Sequence, residues 1–132
     1  MRILVVDPQA EARAAIARWL DEFFAHVEIE SAASAAAALA TLATRMPDLV
    51  ITAHSPPSLD GIELASMVKS RPSSPLVVVL ASGQAGGVDL WLEKRHLHAL
   101  LLDFLQHRFP ETWARSVADR RVRCARARAR GR

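Results

Sequence analysis

Three short apolar runs punctuate the first eighty residues: Ile3-Leu4-Val5-Val6, Leu49-Val50-Ile51 and Leu76-Val77-Val78-Val79-Leu80. Each is rich in branched residues and bounded by Asp, Pro or Ser, the pattern of a strand buried on both faces. His26-Val27-Glu28-Ile29-Glu30 alternates instead, as an edge strand with one solvated face should. Between the runs the period becomes helical. From Pro8 onward Ile16, Leu20, Phe23 and Val27 recur at helical spacing, while Glu11, Arg13, Arg18 and Glu22 occupy other positions. Ser31 is placed to cap a second, alanine-rich helix through Arg45, with Leu39, Leu42 and Met46 on one side. A third helix is expected from Gly61 to Ser70, carrying Leu64, Met67 and Val68.

Strands that alternate with helices predict an α/β fold, because parallel neighbours need crossovers and helices are the usual ones. After Ser82 two readings stand. One places a short helix over Val88–Arg95 and a fifth strand over Ala99–Leu102; the other runs a single long helix across both. Pro110-Glu111 opens a last helix, since proline at the first turn lacks only an N–H that would have no partner there. Trp113, Val117 and Val122 are its bulky apolar positions, and past Cys124 there are none. Residues 1–122 are therefore expected to form one domain, and 123–132 a frayed or disordered Arg-rich tail.

With 132 residues, 51% hydrophobic and 23% charged, the chain is long enough for a single soluble core. One cysteine, Cys124, excludes an intramolecular disulfide and fits a reducing, cytoplasmic setting. The longest uncharged stretch, Pro72 to Val88, is interrupted by Pro75 and Gln84 and falls short of the roughly 20 apolar residues that span a membrane. After Arg2 only Ile3 to Val6 are apolar before Asp7, which does not read as a secretory signal. The net charge of +3 conceals a split. Residues 1–112 hold 9 Lys/Arg against 13 Asp/Glu, whereas residues 113–132 hold 8 Arg against Asp119 alone.

Ile3-Leu4-Val5-Val6-Asp7, Pro47-Asp48-Leu49-Val50-Ile51, Pro57-Ser58-Leu59-Asp60-Gly61 and Pro75-Leu76-Val77-Val78-Val79-Leu80 together resemble the response-regulator receiver domain of two-component signalling. The resemblance runs from Arg2 to about Leu102. It implies a flavodoxin-like, doubly wound parallel five-stranded sheet of order 2-1-3-4-5, with helices on both faces and a site at the carboxyl ends of the strands. It also implies transfer of a phosphoryl group from a histidine kinase to an aspartate, with Mg²⁺ held by neighbouring carboxylates.

Carried over position by position, the resemblance departs from its own chemistry. The paired acids after strand one are Asp7 and Pro8, and the phosphoacceptor position, seven residues before Asp60-Gly61, is Ala53. The hydroxyl position after strand four is Ala81, with Ser82 one place later as a substitute. In the same register the lysine after strand five falls on Asp103 and the switch aromatic on Leu100. One remaining carboxylate is too few for Mg²⁺, so no cofactor or metal is expected. Asp7, Pro8, Ala53, His54, Ala81, Ser82 and Asp103 form the expected vestigial pocket.

The plainer readings are structural. Asp7 before Pro8 caps a helix, His54 and Ser55 are loop residues, and Asp60-Gly61 is turn chemistry leading into the third helix. His96, His98 and His107 lack metal-site spacing, and Gly83, Gly86 and Gly87 lack the lysine of a phosphate loop. No nucleophile, base and oxyanion site occur together, so no enzyme is expected. The reading is a receiver that has lost the acceptor aspartate and acts by phosphorylation-independent contact with a protein partner or a second copy. The resemblance places that contact on the face of helix four, strand five and helix five, with Trp91, Leu92 and Leu97. The alternative is a nucleic-acid-associated regulator whose basic end, Arg120, Arg121, Arg123, Arg126, Arg128, Arg130 and Arg132, binds phosphates.

Overall fold

The computed structural model of the chain describes residues 1–24, 26–80, 90–92 and 97–130. Five strands, β1 (Arg2–Val6), β2 (Glu28–Ala32), β3 (Leu49–Ala53), β4 (Leu76–Leu80) and β5 (Leu90–Leu92), make one parallel sheet in the order β2-β1-β3-β4-β5. The helices are α1 (Ala10–Phe23), α2 (Ala35–Thr44), α3 (Gly61–Lys69), α4 (Leu97–Arg108) and α5 (Pro110–Arg130).

The continuous apolar runs have their cause in a core on each side of the sheet. On one face Ile3, Val5, Leu49, Ile51, Val78 and Leu80 pack with Ile16, Trp19, Leu20 and Phe24 from α1 and its end, and with Leu101 and Leu105 of α4. On the other, Leu4, Val6, Val50, Val77 and Val79 meet Ala38 and Leu42 of α2 and Leu64, Ala65 and Val68 of α3. The fold is doubly wound, as the alternation of elements predicts. No described helix is long and apolar enough to cross a membrane.

Several local expectations are corrected. Ser31 does not cap α2. Val5 and Val6 pair with Ser31 and Ala32, which draws both into β2, and Ser34 becomes the cap, its Oγ accepting a hydrogen bond from the Ala37 N–H at 3.1 Å. Met46 and Met67, expected on apolar helix faces, are exposed.

The larger correction lies beyond β4. Leu90–Leu92 is not helical but pairs with Val78, Val79 and Leu80 as β5, and the rest of the expected Val88–Arg95 helix lies outside the described residues. Ala99–Leu102 is not a strand but part of α4, where Leu101 and Leu105, four apart, are both fully buried. The long-helix alternative is right for that half alone. Nine residues, 81–89, separate β4 from β5. The helix following β5 packs with α1 on the same sheet face.

The C-terminal segment is also corrected. α5 is helical through Arg130, crossing the boundary expected after residue 122, where fraying was expected. Arginine and alanine are strong helix formers, the Asp119–Arg123 pair at 2.9 Å sits at favourable spacing, and cations near a helix C-terminus complement its dipole.

Candidate functional site

The carboxyl ends of β1, β3 and β4 come together because the three strands are in parallel register. Val6 lies beside Thr52 and Ala53 beside Leu80, so Asp7 and Ala53 are the next positions on adjacent strands. Asp7 is 1% exposed. Its N–H donates to the Ala32 carbonyl at 3.1 Å, and its Oδ1 accepts from the Gln9 N–H at 2.9 Å. The Arg13 guanidinium donates to the Asp7 carbonyl at 2.6 Å. The helix cap itself is Gln9, with no side-chain capping bond, so Asp7 turns the chain into α1 from two residues earlier than a cap would. Pro8 beside it is half-buried and has no side-chain oxygen.

Ala53 ends β3 with 1% exposure, and its carbonyl accepts from the buried Thr52 Oγ1 at 2.9 Å. His54 follows. Its N–H donates to the Leu80 carbonyl at 3.2 Å, holding the end of β3 to β4. Its Nδ1 accepts from the Gly61 N–H at 3.1 Å. An accepting Nδ1 carries a lone pair, which leaves the ring proton on Nε2. Asp60 Oδ1 lies 3.6 Å from the same nitrogen.

Between them Ser55 and Leu59 exchange two backbone bonds, at 2.9 and 3.1 Å, which closes the loop over the buried Leu59. Asp60 then caps α3, its Oδ1 accepting from the Glu63 N–H at 2.9 Å. Gly61 is required by proximity. A Cβ there would sit 3.1 Å from the Ala53 carbonyl carbon and 3.3 Å from His54 Cα, and closer still to the Ala53 oxygen. The first turn of α3 is thus pressed onto the end of β3. Asp60→Ala is expected to lower stability by about 1 kcal/mol, with Asp60→Asn close to the parent, in urea unfolding. An equal loss in both variants would assign the effect to charge instead of capping.

Of the residues expected in the pocket, Asp7, Pro8, Ala53 and His54 gather at the strand ends, while Ala81 and Ser82 lie outside the described residues. Asp103 does not belong there. It is on the exposed side of α4, where its carbonyl lies 2.7 Å from His107 Nδ1, because the fifth strand precedes it by more than ten residues. Leu100 is likewise helical and follows no strand end. Trp91 and Leu92 are in β5 and Leu97 begins α4, so the expected order of helix four before strand five is not the order of the described elements. Among the described residues no three His, Cys, Asp or Glu side chains form a group that could hold a metal ion. At the far end of the chain, Arg120 lies over Trp113 and Phe23 at 5.0 and 5.5 Å, Arg121, Arg123, Arg126, Arg128 and Arg130 are exposed on α5, and Arg132 lies outside the described residues.

Two links escaped the sequence reading: the hydrogen bond from Gly61 to His54, and the stack of Arg120, Trp113 and Phe24. The only sequence signal for the first is the glycine directly after a capping aspartate.

Residues 3–105 match the family model of the response regulator receiver domain. No curated protein matches the sequence. Among solved structures, a response regulator signal receiver domain from Bermanella marisrubri is 29% identical, with 80% of this chain and 95% of that one covered and a TM-score of 0.68. The signal receiver domain of a DNA binding response regulator protein from Colwellia psychrerythraea is 19% identical, with 81% and 96% covered and a TM-score of 0.72. The response regulator TrrA of Thermotoga maritima, in complex with Mg²⁺ and BeF, is 23% identical, with 80% and 96% covered and a TM-score of 0.70. These last two share the fold.

Proposed function

This chain belongs to the response regulator receiver domain family of two-component signalling, and we propose that it works there without phosphoryl transfer, through contact with protein partners in the cytoplasm. The observation that carries this reading is Ala53. It ends β3 in register with Leu80, seven residues before Asp60-Gly61, at the position the family's acceptor aspartate would take, and a methyl group cannot be phosphorylated.

The donors at the strand ends do not fit Mg²⁺ either. Asp7 supplies one carboxylate, already accepting the Gln9 N–H, and Pro8 and Ala53 supply none, whereas the ion needs carboxylates together with phosphate oxygens. The position of β5 revises one part of the reading. Glu93 and Lys94, not Asp103, follow the strand in sequence, and both lie outside the described residues. Without an acceptor carboxylate, a lysine after the strand has no phosphoryl group to hold.

The His54–Gly61 bond and the close approach of α3 to Ala53 favour one setting of the loop after β3. A module of this kind offers its partner a permanent surface. The edge strand β5 with the start of α4, carrying Trp91, Leu92 and Leu97, is the proposed contact region, for a protein partner or a second copy.

The test is incubation of the full chain with acetyl phosphate and Mg²⁺, read by intact mass, and with beryllofluoride and Mg²⁺, read by amide NMR. The expected result is an unchanged mass and unchanged amide signals at Asp7, Ala53 and His54. A covalent phosphoryl adduct, or metal-dependent shifts at those three residues, overturns the reading.

A further inference from the structure

The match to the receiver family ends at residue 105, before α5 begins at Pro110. α5 is therefore an addition to the family's fold, and its two halves differ. The first half is fastened to the body: Trp113 meets Phe24 edge-on at 5.7 Å, Ser116 is buried, and Arg120 lies over both Trp113 and Phe23. Residues 121–130 are all exposed, a helical rod about 15 Å long. It holds five arginines, Arg121, Arg123, Arg126, Arg128 and Arg130, and no acid.

We propose that this exposed half of α5 is a duplex-DNA-binding element that lies in the major groove and meets phosphates on both walls. At about 100° per residue, Arg121 and Arg128 share one flank of the helix, and Arg123, Arg126 and Arg130 the other. Val122, Ala125 and Ala129 fill the strip between the two rows, about half a turn from Trp113 and Arg120, so that strip faces away from the body. The major groove of B-DNA is about 12 Å wide and admits one α-helix, and its phosphates stand on both sides of whatever enters. Short side chains on the inserted strip let the helix approach the base edges, while arginines on both flanks reach the backbone.

The same features disfavour the other occupants. A helix that docks in a protein groove does so through bulky anchors at i, i+3, i+4 and i+7, and this strip offers only a valine and alanines. Packing α5 of one copy against α5 of a second would bring like charge against like charge. The A-form major groove of duplex RNA is too deep and narrow for a helix to read. Arg123 is paired with Asp119, but Arg126 and Arg130 repel one another at i, i+4, a strain that a polyanion on that flank relieves. All five cations are arginine, whose planar fork matches phosphate oxygens in pairs.

The test is fluorescence anisotropy of the full chain with a labelled duplex DNA of two helical turns. Binding is expected to weaken by roughly two to three orders of magnitude between 50 and 200 mM salt, the slope for four or five phosphate contacts. Changing Arg121, Arg126, Arg128 and Arg130 together to Gln should lower affinity at least about 100-fold at the lower salt and flatten the salt slope by about four. Ala125→Pro keeps every arginine but breaks the rod, and should lower duplex affinity about 10-fold or more. Circular dichroism of the Gln variant confirms that the body stays folded. Unchanged binding by the Gln variant, full affinity in Ala125→Pro, or equal affinity for duplex RNA, heparin or polyglutamate would each overturn the proposal.

Discussion

Gly61→Ala is expected to destabilise the chain by about 3 kcal/mol, against the usual direction for such a change inside a helix. In an open helix alanine is favoured over glycine by about 1 kcal/mol. Here the added methyl would meet the Ala53 carbonyl and His54 Cα, which are backbone and cannot rotate aside. α3 would have to lift from β3, stretching the Gly61 to His54 bond and disturbing Leu64 and Val68, both buried beneath it. The midpoint of urea unfolding measures this directly. A variant as stable as the parent, or more so, would show that the contact between α3 and β3 is not required. His54→Ala separates the two contributions, because it removes the bond and leaves the close approach intact.

Phe24→Ala is expected to remove about 3–5 kcal/mol, comparable with the total stability of a small domain. Phe24 is 1% exposed, closes the C-terminal end of α1 through its N–H to the Leu20 carbonyl at 2.8 Å, and packs with the first sheet face. It also supports Trp113, so its removal both opens a cavity and unseats the base of α5. Phe24→Leu keeps most of the volume and should cost less than about 1.5 kcal/mol. Thermal unfolding gives the global loss, and near-ultraviolet circular dichroism reports on Trp113. If Phe24→Ala changed stability by less than about 1 kcal/mol, the coupling of α1 to α5 through this ring would be refuted.

How much of this was legible in the sequence depends on what fixes each element. β1, β3 and β4 were legible because burial on both faces leaves an uninterrupted apolar run, and β2 because an edge strand alternates. β5 was not. A three-residue strand carries no period, and what makes Leu90–Leu92 a strand is the free edge of β4, a partner distant in sequence. Ala99–Leu102 misled for a related reason: four apolar residues in a row suit a buried strand and a buried helix equally. The position of Asp103 turns on the same four residues: after a strand at Ala99–Leu102 it would stand at a strand end, whereas in α4 it is exposed.

At the site, spacing along the chain locates Ala53 at the end of β3 and Asp60 at the start of α3, but puts the cap of α1 at Asp7, where the structure has Gln9. It was insufficient for His54, whose partner is seven residues away across a closed loop. The helical state of residues 123–130 was hidden because the lack of bulky side chains signals the absence of packing, which differs from the absence of a helix.

The fastening of α5 makes it a cantilever. Its fixed end is a stack of three aromatic rings and one guanidinium, and residues 121–130 project beyond it, all exposed. From Arg120 to Arg130 the projecting part is about 15 Å long, so a tilt of about 10° at the stack would displace the tip by about 3 Å. Phe23 and Phe24, at the end of α1, lie against that fixed end, so a shift of α1 would be magnified at the tip of α5.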